Sequence, residues 1–203
     1  MAGLIVVISA PSGTGKTTIC KHLLESFIQI KHSVSYTTRK PRLNEIEGES
    51  YHFVNMEKFN KMIKNNEFIE WAKVHGNYYG TSKRCLNEII KENYDAILDL
   101  DVQGGINIRK KYKKAVLIFI IPPSMHELRS RLKGRNTEEV EHLEDRLKCA
   151  KEEVSYIFEY KYYLVNYNIK DTVNNLKAII IAERHRISNL PSGLIKSLKK
   201  GME

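Results

Sequence analysis

Four groups of residues in this sequence have the types and spacing to handle phosphate or a nucleobase. The first is Ala10-Pro11-Ser12-Gly13-Thr14-Gly15-Lys16-Thr17-Thr18. It carries the second half of the phosphate-loop pattern G-x-x-x-x-G-K-[ST], with Ala10 where the first glycine stands. Such a loop turns backbone N–H groups onto phosphate oxygens at a helix N-terminus, adds the ammonium of Lys16, and offers the Thr17 hydroxyl to Mg²⁺. Alanine adds one methyl group and serves wherever φ is negative. The second group is Asp99 and Asp101, at the end of a short apolar run. Alternation puts both on one face of a strand, at the carboxyl end where α/β sheets bind ligands. Either could hold Mg²⁺ through water while the other meets a second substrate, or one could simply cap the next helix.

The third group is Arg39, Arg42 and Tyr51. Pro41 keeps the residue before it extended, so a stiff loop presents two guanidinium forks, and with a tyrosine hydroxyl they suit a phosphate dianion. The fourth is Glu70, a carboxylate inside the apolar string Phe68-Ile69-Glu70-Trp71, followed by Asn77-Tyr78-Tyr79-Gly80-Thr81. An unpartnered carboxylate in such surroundings is costly. A guanine edge would satisfy it, because N1–H and the 2-amino group donate side by side, whereas adenine presents a bare acceptor. Arg129, Arg131, Arg135, Arg146 and Lys148 form a further cationic set that could be brought over a transferring phosphoryl. The run Arg109 to Lys114 reads instead as cations at a helix C-terminus, a structural role.

The elements that must position these groups follow from hydrophobic periodicity. Leu4 to Ser9 reads as a strand, and Ile19, Leu23, Leu24 and Phe27 mark a helix after the loop. Apolar runs at Ala96 to Leu100, Ala115 to Ile121 and Tyr162 to Val165 alternate with helical patterns, which predicts a three-layered α/β core on a parallel sheet. Between Ser33 and Lys83 the pattern changes to β-like pieces, Tyr51 to Val54 and Phe68 to Val74, around a helical piece from Glu57 to Asn65. That is an inserted α+β subdomain. Ser124 and Glu127 predict a capping box that starts a helix toward Lys133. Asn136 can cap a second helix with the stripe Val140, Leu143, Leu147, Ala150 and Val154, and two helices joined by an Arg-bearing turn suit a lid. A last helix is expected over about Asp171 to Asn189, packing through Val173, Leu176, Ile179, Ile180 and Ile187, before a short basic tail.

The chain of 203 residues carries 33 Lys and Arg against 24 Asp and Glu, a net charge of +9, which calls for an anionic ligand or partner without naming it. No apolar run is long enough to span a bilayer and no secretory signal is visible, so a cytoplasmic protein without a membrane partner is expected. Cys20, Cys85 and Cys149 suit buried thiols in a reducing compartment, and the histidines show no zinc-binding spacing. A nucleic-acid partner is not expected, for no helix-turn-helix or interleaved aromatic platform is visible.

On Ser9 to Lys16, Ser33-Val34-Ser35, Thr37-Thr38-Arg39, Pro41-Arg42, Phe68-Ile69-Glu70, Asn77 to Thr81, Leu98 to Gly104 and Pro122-Pro123-Ser124, the chain resembles the guanylate kinases. The resemblance spans about Leu4 to Ile187. It implies an enzyme that moves the γ-phosphoryl of ATP to GMP, giving ADP and GDP, in purine nucleotide metabolism and GMP recycling, with Mg²⁺ as cofactor. The implied architecture is a P-loop core (residues 1–32, 84–125 and 156–190), a GMP-binding subdomain (33–83), a helical lid (126–155) and a basic tail (191–203). Ser35, Glu70, Thr81 and Asp101 are implied as guanine contacts, and Arg39, Arg42, Tyr51 and Tyr79 as the GMP phosphate site. ATP falls to Ser12, Gly13, Thr14, Gly15, Lys16, Thr17, Thr18 and Asn166, and Mg²⁺ to Thr17 and Asp99. Catalysis falls to Lys16, Arg42, Arg135 and Arg146. The family's Val-Asn-Asp near the adenine reads Val165-Asn166-Tyr167 here, so Tyr167 departs from it. A phosphate that is already mostly a dianion near neutral pH needs no general base, which agrees with the lack of an obvious one. The partners implied are the two nucleotides; a homo-oligomer is left open. A kinase-like binding module would tend to have a degraded phosphate loop, whereas Gly15-Lys16-Thr17 is intact.

Overall fold

The computed structural model describes residues 3–43, 45–74, 76–133, 143–191 and 193–200. The first apolar run forms β1 (Ile5–Ser9), and after the glycine loop α1 (Lys16–Ser26) begins. Gly13 and Gly15 sit at φ +87° and +99°, left-handed conformations that explain why the loop needs glycine at both. β1 lies at the centre of a parallel sheet ordered β2 (Ile30–His32), β7 (Asp95–Asp99), β1, β8 (Val116–Ile121) and β9 (Tyr162–Val165). Alternation along β1 divides the core between two faces. Val6 and Ile8 pack with Ile19 and Leu23 of α1 and with Val173, Leu176 and Ile180 of α7 (Ile169–Arg184). Val7 faces the opposite layer with Leu86 and Ile89 of α3 (Lys83–Lys91) and Ile108 of α4 (Val102–Lys111). The expected three-layer α/β core is present. The edge strand β2, Ile-Lys-His, is too short and polar to announce itself by periodicity.

The insertion is a second sheet, ordered β4 (His52–Phe53), β3 (Tyr36–Thr37), β6 (Asn77–Ser82) and β5 (Phe68–Val74). Its own small core joins Phe68 to Phe59 and Met62 of α2 (Met56–Lys64). β3 and β6 were not expected as strands; the polar sequence of β6 is held by antiparallel pairing with β5 and β3.

Two described helices follow β8. α5 (Met125–Lys133) starts where Ser124 Oγ accepts the Glu127 N–H at 3.1 Å, while the Glu127 carboxylate turns to Arg131 Nε at 2.9 Å rather than back to the cap. α6 (Leu143–Ser155) packs Leu143, Leu147 and Ala150 against Leu128 and Leu132 of α5. Asn136, expected as a cap, and Val140 lie outside the described residues. The last core helix ends sooner than expected. α7 stops at Arg184, where the Asn189 side chain donates to the Glu183 carbonyl at 2.6 Å, and Ile187, expected to pack, is 85% exposed in a 3₁₀ turn. The basic tail contains a further helix, α8 (Leu194–Lys200).

Candidate nucleotide site

The phosphate loop joins the C-terminal end of β1 to α1, and its lysine does not hang free. Lys16 Nζ donates to the Leu100 carbonyl at 2.6 Å and stands 2.6 Å from Asp99 Oδ1. Burial works to lower the Lys16 pKa, but the charge and hydrogen bond of Asp99 outweigh it and hold it above the ordinary lysine value. Asn166 is buried behind the loop: its Nδ2 donates to the Thr14 carbonyl at 2.7 Å and its Oδ1 accepts from Thr172 at 3.1 Å. The amide thus ties the loop, through Thr14, to Thr172 of α7. Ser12 is gripped from the side, its hydroxyl accepting from Arg146 Nη2 at 3.1 Å. Thr17 is exposed on the first turn of α1.

A cavity of about 150 Å³ brings together Lys16, Ser35, Tyr51, Glu70, Tyr79, Asp99 and Asp101, residues widely separated in sequence. Glu70 is only 4% exposed, and its Oε1 accepts the Thr81 hydroxyl at 2.7 Å. Burial is the main cause that lifts its pKa to about 7; the Thr81 hydroxyl opposes the shift, and Asp101 adds to it. Asp101 caps α4, its Oδ1 accepting the Gly104 N–H at 2.9 Å, while its residue still lines the cavity. A Cβ at Gly104 would lie 3.0 Å from both Asp101 Oδ1 and Glu70 Oε2, tighter than side chains ordinarily pack, so a larger residue would press on the two carboxylates. Tyr51 packs edge-on to Tyr79 with ring centroids 5.9 Å apart, and burial pushes its phenol up to about 12.

At the rim, Arg39 is held by a carboxylate. Its Nη1 and Nη2 donate to Glu45 Oε2 and Oε1 at 2.9 and 2.8 Å, and its Nε donates to the Tyr79 hydroxyl at 3.3 Å. Glu45 Oε2 also accepts the Arg42 N–H at 2.7 Å, while Arg42 itself is exposed. Glu45 was not singled out from the sequence, although a carboxylate three residues after Arg42 in a cationic loop was a usable signal. Arg131 was counted only among the lid cations. It donates from Nη1 to the Thr14 carbonyl at 3.4 Å and from Nη2 to the Asn166 carbonyl at 3.2 Å, joining α5 to the loop. Together with Gly13, Tyr167 and Ile169 it lines a second cleft of about 510 Å³, with Tyr167, 72% exposed, at its edge. Arg135 lies outside the described residues.

A larger groove of about 990 Å³ runs past Leu4, Lys113 and Leu190. It opens at the starts of β1 and β8, away from the carboxyl ends where sheets of this kind bind ligands, and none of the site groups lines it.

The comparisons with known proteins agree with this geometry. A family model described as guanylate kinase matches residues 3–183. The chain belongs to the guanylate kinase family. It is 45% identical to the guanylate kinase of Caldanaerobacter subterraneus subsp. tengcongensis over 185 residues, covering 91% of this chain and 90% of that one. To the guanylate kinase of Clostridium tetani it is 45% identical over 200 residues, covering 98% and 95%. Among solved structures, the crystal structure of guanylate kinase from Anaplasma phagocytophilum superposes with a TM-score of 0.82 at 35% identity, covering 99% of this chain and 96% of that one. The guanylate kinase match takes in the phosphate loop, both clefts and the helices α5 and α6.

Proposed function

We propose that this guanylate kinase binds GMP in the cavity below Glu70, binds ATP along the phosphate loop, and transfers the γ-phosphoryl between them to give ADP and GDP. The observation that carries the assignment is the buried Glu70 carboxylate, oriented by Thr81 in a cavity that also contains Lys16. Such a carboxylate accepts the paired N1–H and 2-amino donors of guanine and repels the bare N1 of adenine. Ser35 and Asp101 complete the base site, Asp101 with the oxygen not engaged as a helix cap. Arg39, Arg42, Tyr51 and Tyr79 receive the GMP phosphate; the pairing of Arg39 with Glu45 orients its guanidinium so that Nε faces the Tyr79 hydroxyl.

For ATP, the N–H groups from Ser12 to Thr18 receive the phosphates at the N-terminus of α1. Asn166 acts by supporting the Thr14 carbonyl rather than by reading the base, and the cleft edged by Arg131 and Tyr167 is the place for adenine. Lys16 exchanges its ion pair with Asp99 for the phosphates. Arg146 and Arg135 neutralise charge on the moving phosphoryl group, and a closed lid excludes water that would hydrolyse ATP. The acceptor phosphate is mostly a dianion at neutral pH, so no residue need take a proton from it.

The donor set fits Mg²⁺. An exposed Thr17 hydroxyl and the Asp99 carboxylate are hard oxygen donors near the loop, and among the described residues no three His, Cys, Asp or Glu gather into a protein-only metal cage. That is the pattern for an ion held mainly by substrate phosphates and water. Held by Thr17 and Asp99 with the substrate, such an ion would supply positive charge that offsets the negative charge of the phosphates. Residues 33–83 then form the GMP-binding subdomain, 126–155 the lid, and the parallel sheet with its helices the core. No helix among the described residues is long and apolar enough to cross a membrane, and three free cysteines suit a reducing cytoplasm. A coupled ADP-release assay with ATP and Mg²⁺ against GMP, AMP, CMP and UMP tests the proposal: GMP is the preferred acceptor, and preference for any other nucleotide overturns it.

A further inference from the structure

The strand that carries Glu70 is not regular. In its pairing with β6, Phe68 stands opposite Ser82 and Glu70 opposite Thr81, so the register shifts at Ile69. Ile69 is the extra residue of a β-bulge, the kind of irregularity that re-aims a side chain and leaves one residue without its ladder partner. The burial pattern shows why it is needed. Regular alternation would send Phe68 and Glu70 to one face and Ile69 to the other. Here all three are buried in different places: Phe68 in the small core of the inserted sheet, Ile69 among Leu86, Leu98 and Leu100 of the main core, and Glu70 in the cavity. The bulge turns the carboxylate out of line with Phe68.

Helix α4 supports that bend at two points. In its first turn Gly104 abuts the Glu70 carboxylate so closely that a Cβ would be 3.0 Å from Oε2. Seven residues further on, on the same face of the helix, Lys111 turns its ammonium back and donates to the Ile69 carbonyl. The side chain of Lys111 starts from the exposed surface, but its tip ends on the backbone of the bulge. It is thereby set apart from the run of lysines around it, which the helix C-terminus alone accounts for.

We propose that Lys111 is a positioning residue for base recognition: by holding the carbonyl of the bulged Ile69 it fixes the bend in β5 that aims Glu70 into the cavity. This rests on the reading of Glu70 as the guanine contact. A charged donor on a backbone carbonyl beside a specificity residue affects how well that residue is placed, without touching the ATP side of the site.

The experiment compares Lys111→Met, which keeps an apolar stem and removes the donor, with Lys111→Arg, which keeps a cationic donor. Losing a hydrogen bond to a charged group is expected to raise the KM for GMP about tenfold in Lys111→Met and to narrow the preference for GMP over AMP. The KM for ATP stays at the wild-type value, and Lys111→Arg recovers most of the loss. In a Glu70→Gln background the Lys111→Met penalty shrinks, because the carboxylate it positions is gone. A wild-type KM for GMP in Lys111→Met overturns the proposal, as does an equal rise in both KM values or a full penalty surviving in the Glu70→Gln background. Where Lys111→Met does not fold, Lys111→Gln, neutral and too short to span the same gap, is read by the same criteria. Unchanged GMP kinetics in Glu70→Gln alone would refute the guanine contact itself, whereas an impaired Glu70→Gln beside a wild-type Lys111→Met refutes only the positioning role.

Discussion

Replacing Glu70 by Gln should make the free protein more stable and the enzyme worse, and both effects can be sized from the structure. Glu70 is 4% exposed and its pKa rises from the ordinary 4.5 to about 7, chiefly because burial disfavours the charge. Below pH 4.5 the group is protonated in the folded and unfolded chains alike, so it adds no pH dependence. Between 4.5 and about 7 the unfolded chain releases the proton while the folded chain keeps it, and stability falls as pH rises. Above 7 the full penalty is in place: at about 1.4 kcal/mol per pH unit it amounts to about 3 kcal/mol. Glutamine copies the neutral form and can still accept the Thr81 hydroxyl, with its amide directed toward Asp101. At pH 8.5 the variant should therefore unfold at a higher temperature than the wild type, by roughly 5–10 °C for a chain of this size, and the gap should close toward pH 4.5. The same substitution removes charge-assisted hydrogen bonds to the guanine edge, about 1.5–3 kcal/mol, so kcat/KM for GMP should fall about ten- to hundredfold with weaker discrimination against AMP. Thermal unfolding of the ligand-free protein at several pH values and initial-rate kinetics with the two acceptors read both effects. A variant less stable than wild type at pH 8.5, or a difference that does not vary with pH, would refute the account of Glu70 as a buried carboxylate poised for a ligand.

Three further outcomes follow from other contacts. Arg146→Ala should lower kcat by about 10³ or more while shifting the KM for GMP only slightly, since its role is at the transition state, and equal losses in both would contradict a lid function. Asn166→Ala leaves the Thr14 carbonyl with only the longer bond from Arg131 and the Thr172 hydroxyl with only the Asn168 carbonyl; calorimetry should show a loss of about 1–2 kcal/mol, and the KM for ATP should rise while that for GMP does not. Glu45→Ala frees Arg39 from its bidentate partner and takes the carboxylate acceptor from the Arg42 backbone N–H; the KM for GMP should rise about tenfold with kcat nearly unchanged, and a lowered KM would show instead that Glu45 competes with the GMP phosphate.

The phosphate loop was legible in the sequence because its chemistry is local: backbone geometry, one lysine and one hydroxyl sit within a single strand–turn–helix, and glycine is required wherever φ is positive. The core strands and helices were legible for a similar reason, their faces being written as periods of two or of 3.6 residues. Where pairing partners supplied the order, periodicity was silent. β2 is a polar three-residue strand held by β7, and β6 is a polar strand held between two neighbours. The end of α7 was set by a side chain five residues past it, Asn189 on the Glu183 carbonyl, which no run of apolar residues could signal.

The residue types for binding phosphate and guanine were likewise fixed by composition and spacing, but what each one does was decided by the fold. Lys16 rests on Asp99 and Leu100, Arg39 on Glu45 and Tyr79, Thr81 on Glu70, and Asn166 on the loop it was expected to share with ATP. A side chain's type states what it can donate or accept. Which partner it meets depends on chain segments far apart in sequence, and so does the dielectric that moves Glu70 to about 7. Both are properties of burial, and burial exists only once the two sheets and the helices between them have come together.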